Sequence, residues 1–130
     1  MQAVIEKLRK EFHQQPELSG IELRTAKRIK SLIGTSPSNI LIEGLGGHGL
    51  TVVQTFSKDR LIVMIRCELD ALPIHEEYDL QYKSTIKGVS HQFGHDGHKA
   101  IIDYCFGHEH VPLNYHRCSE IRSNDDHIYN

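Results

Sequence analysis

Nothing in this 130-residue chain is long and apolar enough to cross a bilayer. The longest clearly apolar run, Leu61 to Ile65, falls far short of the roughly 20 residues that a helical span needs. An apolar h-region is missing too, since Met1 to Lys10 carries charge throughout, so no secretory signal is expected. Basic excess is absent, with 15 Lys and Arg against 17 Asp and Glu. A general nucleic-acid binder would show such an excess clustered on one face. The basic residues Arg24, Lys27, Arg28 and Lys30 read instead as the solvated side of a helix. Cysteine is scarce, and Cys67, Cys105 and Cys118 are odd in number and widely spaced. That excludes a disulfide framework and a Cys-x-x-Cys zinc site, and suits reduced thiols. No repeat is present. The expectation is one modest domain, soluble and cytoplasmic, with neither nucleic acid nor membrane as partner.

What is there begins with helical periodicity. Val4, Leu8 and Phe12 recur every four residues beside Ile5, which predicts a helix that Pro16 ends or follows. Ser19-Gly-Ile-Glu22 has the spacing of a capping box, with hydroxyl and carboxylate each satisfying a free amide at the next helix start. Leu23, Ala26, Ile29, Leu32 and Ile33 supply that helix with a buried face, and Gly34 suits its stop. After a Ser-Pro-Ser loop the period changes. Ile40–Glu43, Leu50–Phe56 and Leu61–Arg66 are short β-prone runs. The third is continuously apolar, as for a central strand covered on both faces. A further helix is expected after His98, which gives an α/β domain with a mixed sheet. The run Gly44-Leu-Gly46-Gly47-His-Gly49 matches Gly-x-Gly-x-x-Gly but leads into a strand rather than a helix, so a tight turn explains it better than a dinucleotide site. From about Phe106 to Asn130 no apolar period is sustained, and an irregular segment is expected.

Histidine is the compositional anomaly. Ten are present, eight of them from His75 onward. His91-Gln-Phe93-Gly94-His95-Asp96-Gly97-His98 packs three imidazoles and a carboxylate into eight residues, with glycines that let the backbone fold tightly. Imidazole nitrogen and carboxylate oxygen are ligands suited to zinc or manganese, although a solvated polar loop has the same composition. A second cluster, Arg66-Cys67-Glu68-Leu69-Asp70-Ala71-Leu72-Pro73-Ile74, leaves the apolar run. Open α/β sheets place ligands at the carboxyl ends of their strands, and a charged strand exit is the plainer alternative.

Taken together these motifs resemble the metal-dependent amidohydrolases that include hippurate hydrolase, N-acyl amino acid amidohydrolases and auxin-conjugate hydrolases. The likeness covers roughly the first hundred residues. It rests on Phe12-His13 with Pro16-Glu17-Leu18-Ser19 and Glu22, on Arg66-x-x-x-Asp70-Ala-Leu-Pro-Ile with Glu76 beyond, and on Gly88-Val-Ser-His91 followed by Gly94-His95-Asp96-Gly97-His98. The resemblance implies the N-terminal part of a mixed-sheet, dinuclear metallopeptidase-like catalytic domain that hydrolyses the amide bond of a small N-acylated amino acid. Two divalent metals activate a shared water in such enzymes. By resemblance His95 is a metal ligand, Asp70 supports the metal site, and Asp96, His98 and His91 orient ligands from behind.

The pattern also departs from the family's. Phe93 stands where the family motif has a ligand cysteine, and a phenyl ring cannot coordinate a cation. Cys105, ten residues past His95, is not expected to substitute, because metal geometry tolerates only small errors. The family's Glu-Glu pair, which supplies the general base, and its later histidines are not recognisable. Residues 1–103 are therefore expected to be the N-terminal portion of the catalytic domain, and 104–130 a divergent tail, as a frameshift would leave. The chain is expected to be a truncated amidohydrolase, inactive alone, with zinc or manganese bound only if a site survives and oligomers formed only through missing regions. The alternatives are a non-catalytic metal-binding or interaction module and a poorly folded product prone to aggregation.

Overall fold

The computed structural model describes residues 2–33, 39–55 and 63–107. Helix α1 spans Gln2–Gln14, α2 Leu23–Ile33 and α3 His95–Gly107. Strands β1, Asn39–Leu45, and β2, Gly49–Gln54, lie between α2 and α3 in the chain. Leu8 and Phe12 of α1, Ile29 and Ile33 of α2 and Ala100 of α3 form the core, with Ile5, Leu32, Leu50, Val52, Leu69 and Phe106 packed around it. Four-residue spacing thus brings one stripe from each helix together, as an amphipathic helix requires. Val4 sits at the rim, and Leu23, expected on the buried face of α2, is exposed. Arg28 of α2 ties to α1 through both oxygens of Glu11, its NH2 donating to Oε2 at 2.9 Å.

The strands form an antiparallel hairpin in which Ile40 faces Val53, Leu41 faces Val52 and Ile42 faces Thr51. The glycine-rich run is its turn. Gly46 and Gly47 have φ of 60° and 115°, conformations that side chains disfavour, and Gly44 at 79° accompanies a shift of register. The expected turn is therefore present, and the loop opens a strand rather than a helix.

Four expectations need correction. Ser19 does not cap α2. The first helical hydrogen bond runs from Ala26 N to Glu22 O, and the free amides of Arg24 and Thr25 donate to the buried carboxylate of Glu17, at 3.2 and 2.7 Å. Glu22 turns back to accept from Gly20 N instead. The third β-prone run does not form a ladder where it is described. Residues 63–66 join no strand, and Val63, Met64 and Ile65 are exposed by 54, 86 and 52%. A central strand needs a neighbour on each side and a layer on each face, and β1 and β2 pair only with each other among the described residues. Helix α3 begins at His95 rather than after His98, with His98 N bonded to Gly94 O. It continues through Phe106, which packs on the core instead of opening an irregular segment. Gly34, the Ser-Pro-Ser loop, Phe56 at the end of the second β-prone run, Leu61 and Ile62 at the start of the third, and 108–130 lie outside the described residues.

Candidate functional site

Two short backbone bridges assemble the chemistry. Leu18 pairs in parallel with Ala71, and Leu72 antiparallel with Ser90. Ala71 N donates to Glu17 O at 2.7 Å, while Leu72 and Ser90 exchange both bonds at 3.1 and 3.0 Å. The segment carrying Asp70 is thereby clamped between the α1–α2 connection and the loop that leads into α3. These bridges bring Asp70 onto the first residue of α3. His95 Nδ1 donates toward Asp70 O at 3.0 Å and Asp70 Oδ1 at 3.2 Å. That fixes the ring orientation and leaves Nε2 as the nitrogen with a free lone pair, the arrangement in which a carboxylate orients a ligand histidine.

Asp96 does not face that pair. It is buried in the first turn of α3, where the helix dipole favours a carboxylate, and its Oδ2 accepts from His13 Nδ1 at 2.9 Å and Arg9 Nε at 3.3 Å. Burial pushes this carboxyl up, but the His13 bond, the Gly97 amide and the Arg9 charge outweigh it and hold the group below its usual range. The other nitrogen of His13, Nε2, lies 2.9 Å from Oε1 of the buried Glu76, whose Oε2 accepts from Ser84 N at 2.8 Å. Glu76 too is held low, since Ser84 and His13 overcome its burial. Tyr82 meets the His13 ring edge-on at 5.5 Å.

His91 is turned inward as well. Its Nε2 accepts from Lys99 Nζ at 3.0 Å, and its Nδ1 is buried with no hydrogen-bond partner. Burial and the Lys99 charge depress it to about 3, so it is neutral. Lys99, only 1% exposed, also donates to Leu69 O at 3.0 Å and lies 5.1 Å from the Phe12 ring centroid. Burial lowers its ammonium to about 8. His98 is exposed one turn beyond His95, and Phe93 is 72% exposed on the preceding loop.

Of the residues singled out from sequence, the structure joins Asp70 to His95. It sends Asp96 to His13 and His91 to Lys99, and leaves His98 on the surface. His13, Glu76 and Lys99 are buried and each is held by hydrogen bonds to two partners, yet spacing gave them no role. Their partners are 83, 63 and 8 residues away in the chain. The signal that existed was the presence of His13 and Glu76 within motifs.

A metal does not fit these residues. Among the described residues no group of three or more His, Cys, Asp and Glu side chains is arranged to hold an ion. Asp70 is engaged by the His95 ring, and Asp96 and Glu76 face His13. Burial raises the Cys67 thiol to about 11 and raises that of Cys105, which disfavours the thiolate form at both. A shallow concavity on α1, lined by Ala3, Glu6, Lys7, Lys10, Glu11 and Gln14, shares no residue with this cluster.

No family model matches the chain. Individual proteins do. Thermostable carboxypeptidase 1 of Saccharolobus solfataricus is 38% identical over 99 residues, 73% of this chain and 24% of that protein. Hippurate hydrolase of Campylobacter jejuni is 35% identical over 102 residues, 78% of this chain and 26% of that protein. Among solved structures, the YXEP protein of Bacillus subtilis, a dinuclear metal binding peptidase from the M20 family, superposes with a TM-score of 0.66 at 26% identity. The match covers 79% of this chain and 31% of that one. The chain spans about a quarter of the length of the curated relatives it matches.

Proposed function

This chain carries a segment of the M20 family of metallopeptidases and amidohydrolases, and from that premise we propose that it is an amidohydrolase-derived domain without hydrolytic turnover of its own. The observation that carries the proposal is the incomplete donor set. Among the described residues His95, oriented by Asp70, is the one imidazole presented in the manner of a ligand, and no group of three donors accompanies it. Residues 1–103 would be the N-terminal portion of a catalytic domain, with 104–130 divergent from it. The names of the relatives point to a small N-acylated amino acid as the substrate class of the complete fold, and the ion there would be divalent, zinc or manganese. In this chain Asp70 sets the tautomer and direction of His95, while Asp96, His13 and Glu76 hold the helix that bears it.

The purified chain, supplied with Zn²⁺ or Mn²⁺ and hippurate, is expected to release no glycine above the metal-only blank. Release that disappears with a chelator and with His95→Ala would overturn the proposal. A second reading, a non-catalytic interaction module, is favoured by the exposed apolar segment at 63–65.

A further inference from the structure

Helix α3 turns a charged stripe toward the rest of the molecule. Asp96, Lys99 and Asp103 recur at three- and four-residue spacing and so share one face. They are 2, 1 and 2% exposed, with the fully buried Ala100 as the apolar member beside them. An amphipathic helix ordinarily buries its apolar stripe and keeps its charges in water, and a buried charge is tolerated only when paired. The first two members of the stripe meet that condition. Asp96 is bonded to His13 and Arg9, and Lys99 donates to Leu69 O and His91 Nε2. The third does not. Oδ2 of Asp103 is buried with no hydrogen-bond partner.

The groups that face Asp103 are committed elsewhere or oppose its charge. From α2, Arg28 gives its guanidinium to both oxygens of Glu11 and to Ser31 Oγ. From α1, Glu11 adds a like charge. From the same helix, Lys99 spends protons on Leu69 and His91. From the segment before Asp70, the Cys67 thiol lies within electrostatic reach. Burial therefore outweighs the Lys99 and Arg28 cations and raises the Asp103 carboxyl to about 7. The site suits the neutral acid and not the carboxylate. We propose that residues 100–107 of α3 form a proton-gated latch, closed on the core while Asp103 is protonated and released when Asp103 ionises, with the first turn of the helix anchored throughout by Asp96. The apolar residues that α3 gives to the core are Ala100 and Phe106, so release surrenders these two while α1 and α2 stay packed on each other. A carboxylate that must reach water does so by this sub-global opening rather than by unfolding the domain. The closed form holds the Asp103 proton more tightly than the open form. Its advantage is complete below the ordinary Asp range and is lost as pH rises through about 7.

Amide hydrogen exchange on the full chain tests the latch at pH 5 and pH 8, each rate divided by the intrinsic rate at that pH to give an opening constant. His91, which Lys99 holds, titrates in the opposite direction, so the parent is read against Asp103→Asn at each pH. The ratio of parent to variant opening constants at residues 101–106 should rise at least tenfold from pH 5 to pH 8. In the parent at pH 8 those amides should open at least tenfold more often than the amides of Leu8 to Phe12 in α1. A ratio that does not change with pH would overturn the proposal. So would equal opening constants in α3 and α1 at pH 8, because α3 would then open only when the whole domain unfolds. Failure of Asp103→Asn to fold would overturn it as well, since a neutral side chain of the same shape would not support the closed helix.

Discussion

His13 lies between two carboxylates, with Asp96 2.9 Å from one ring nitrogen and Glu76 2.9 Å from the other. All three side chains are buried. The ring thus stands as the shared hydrogen-bond partner of a buried acidic pair. His13→Ala should therefore cost on the order of 3–5 kcal/mol in urea denaturation, the range for removing one partner of a buried ion pair and stranding the other. A loss under about 1 kcal/mol would show that water serves the carboxylates instead. Asp103 is a different case. Its carboxyl is 2% exposed, Oδ2 has no hydrogen-bond partner, and burial raises it to about 7 against the opposing charges of Lys99 and Arg28. Below the ordinary Asp range the group is neutral in folded and unfolded chains alike. From about pH 4 to about pH 7 the unfolded chain ionises while the folded chain keeps its proton, so this residue's contribution to stability falls across that window. The fall is at most about 4 kcal/mol. His91, depressed to about 3, works in the opposite sense by destabilising the fold as pH drops below 6.5, so the two must be separated by substitution. Asp103→Asn should gain stability over the parent between pH 4.5 and pH 7.5, and a difference between the two chains that does not change with pH would refute this.

Helix α2 shows which local signals a sequence carries and which it hides. Ser19 and Glu22 have capping-box spacing, but the helix begins at Leu23, and the carboxylate that receives the amides of Arg24 and Thr25 is that of Glu17, seven and eight residues away. Glu17 also takes Arg24 Nε at 3.1 Å and is itself 8% exposed. Its substitution should be costly and that of Ser19 nearly neutral. Glu17→Ala is expected to lose about 2–3 kcal/mol, combining a lost cap with stranded buried amides. Ser19→Ala should stay within about 0.5 kcal/mol, and the reverse ranking in thermal or urea unfolding would restore the capping box. The helical stripes of α1 and α2 and the glycine turn of the hairpin were legible because each depends on near neighbours: an i,i+4 spacing, or a left-handed φ at Gly46 and Gly47. Asp70 and His95 stood out by motif, but their contact is a product of the fold. The His13 bridge and the Lys99–Leu69 contact were not legible, since each joins residues dozens apart through a fold that no spacing records. The 63–66 run was misread for a related reason. Its apolar pattern specifies burial, but whether a strand forms depends on neighbours that lie elsewhere.

At the scale of the molecule, the core formed by the described residues is thin for what it must hold. Among the described residues the buried apolar set is Leu8, Phe12, Pro16, Ala26, Ile29, Ile33, Ala71 and Ala100, three of them alanine, while nine polar or charged residues are equally buried. Alanine contributes little apolar area, and each buried charge is tolerated only through partners such as those of His13 and Glu17. A fold so constituted should be marginal on its own, with a melting midpoint below about 65 °C in scanning calorimetry of the chain alone. A midpoint above that would mean that the exposed residues at 40, 42, 53 and 63–65 are simply tolerated at the surface of a self-sufficient domain.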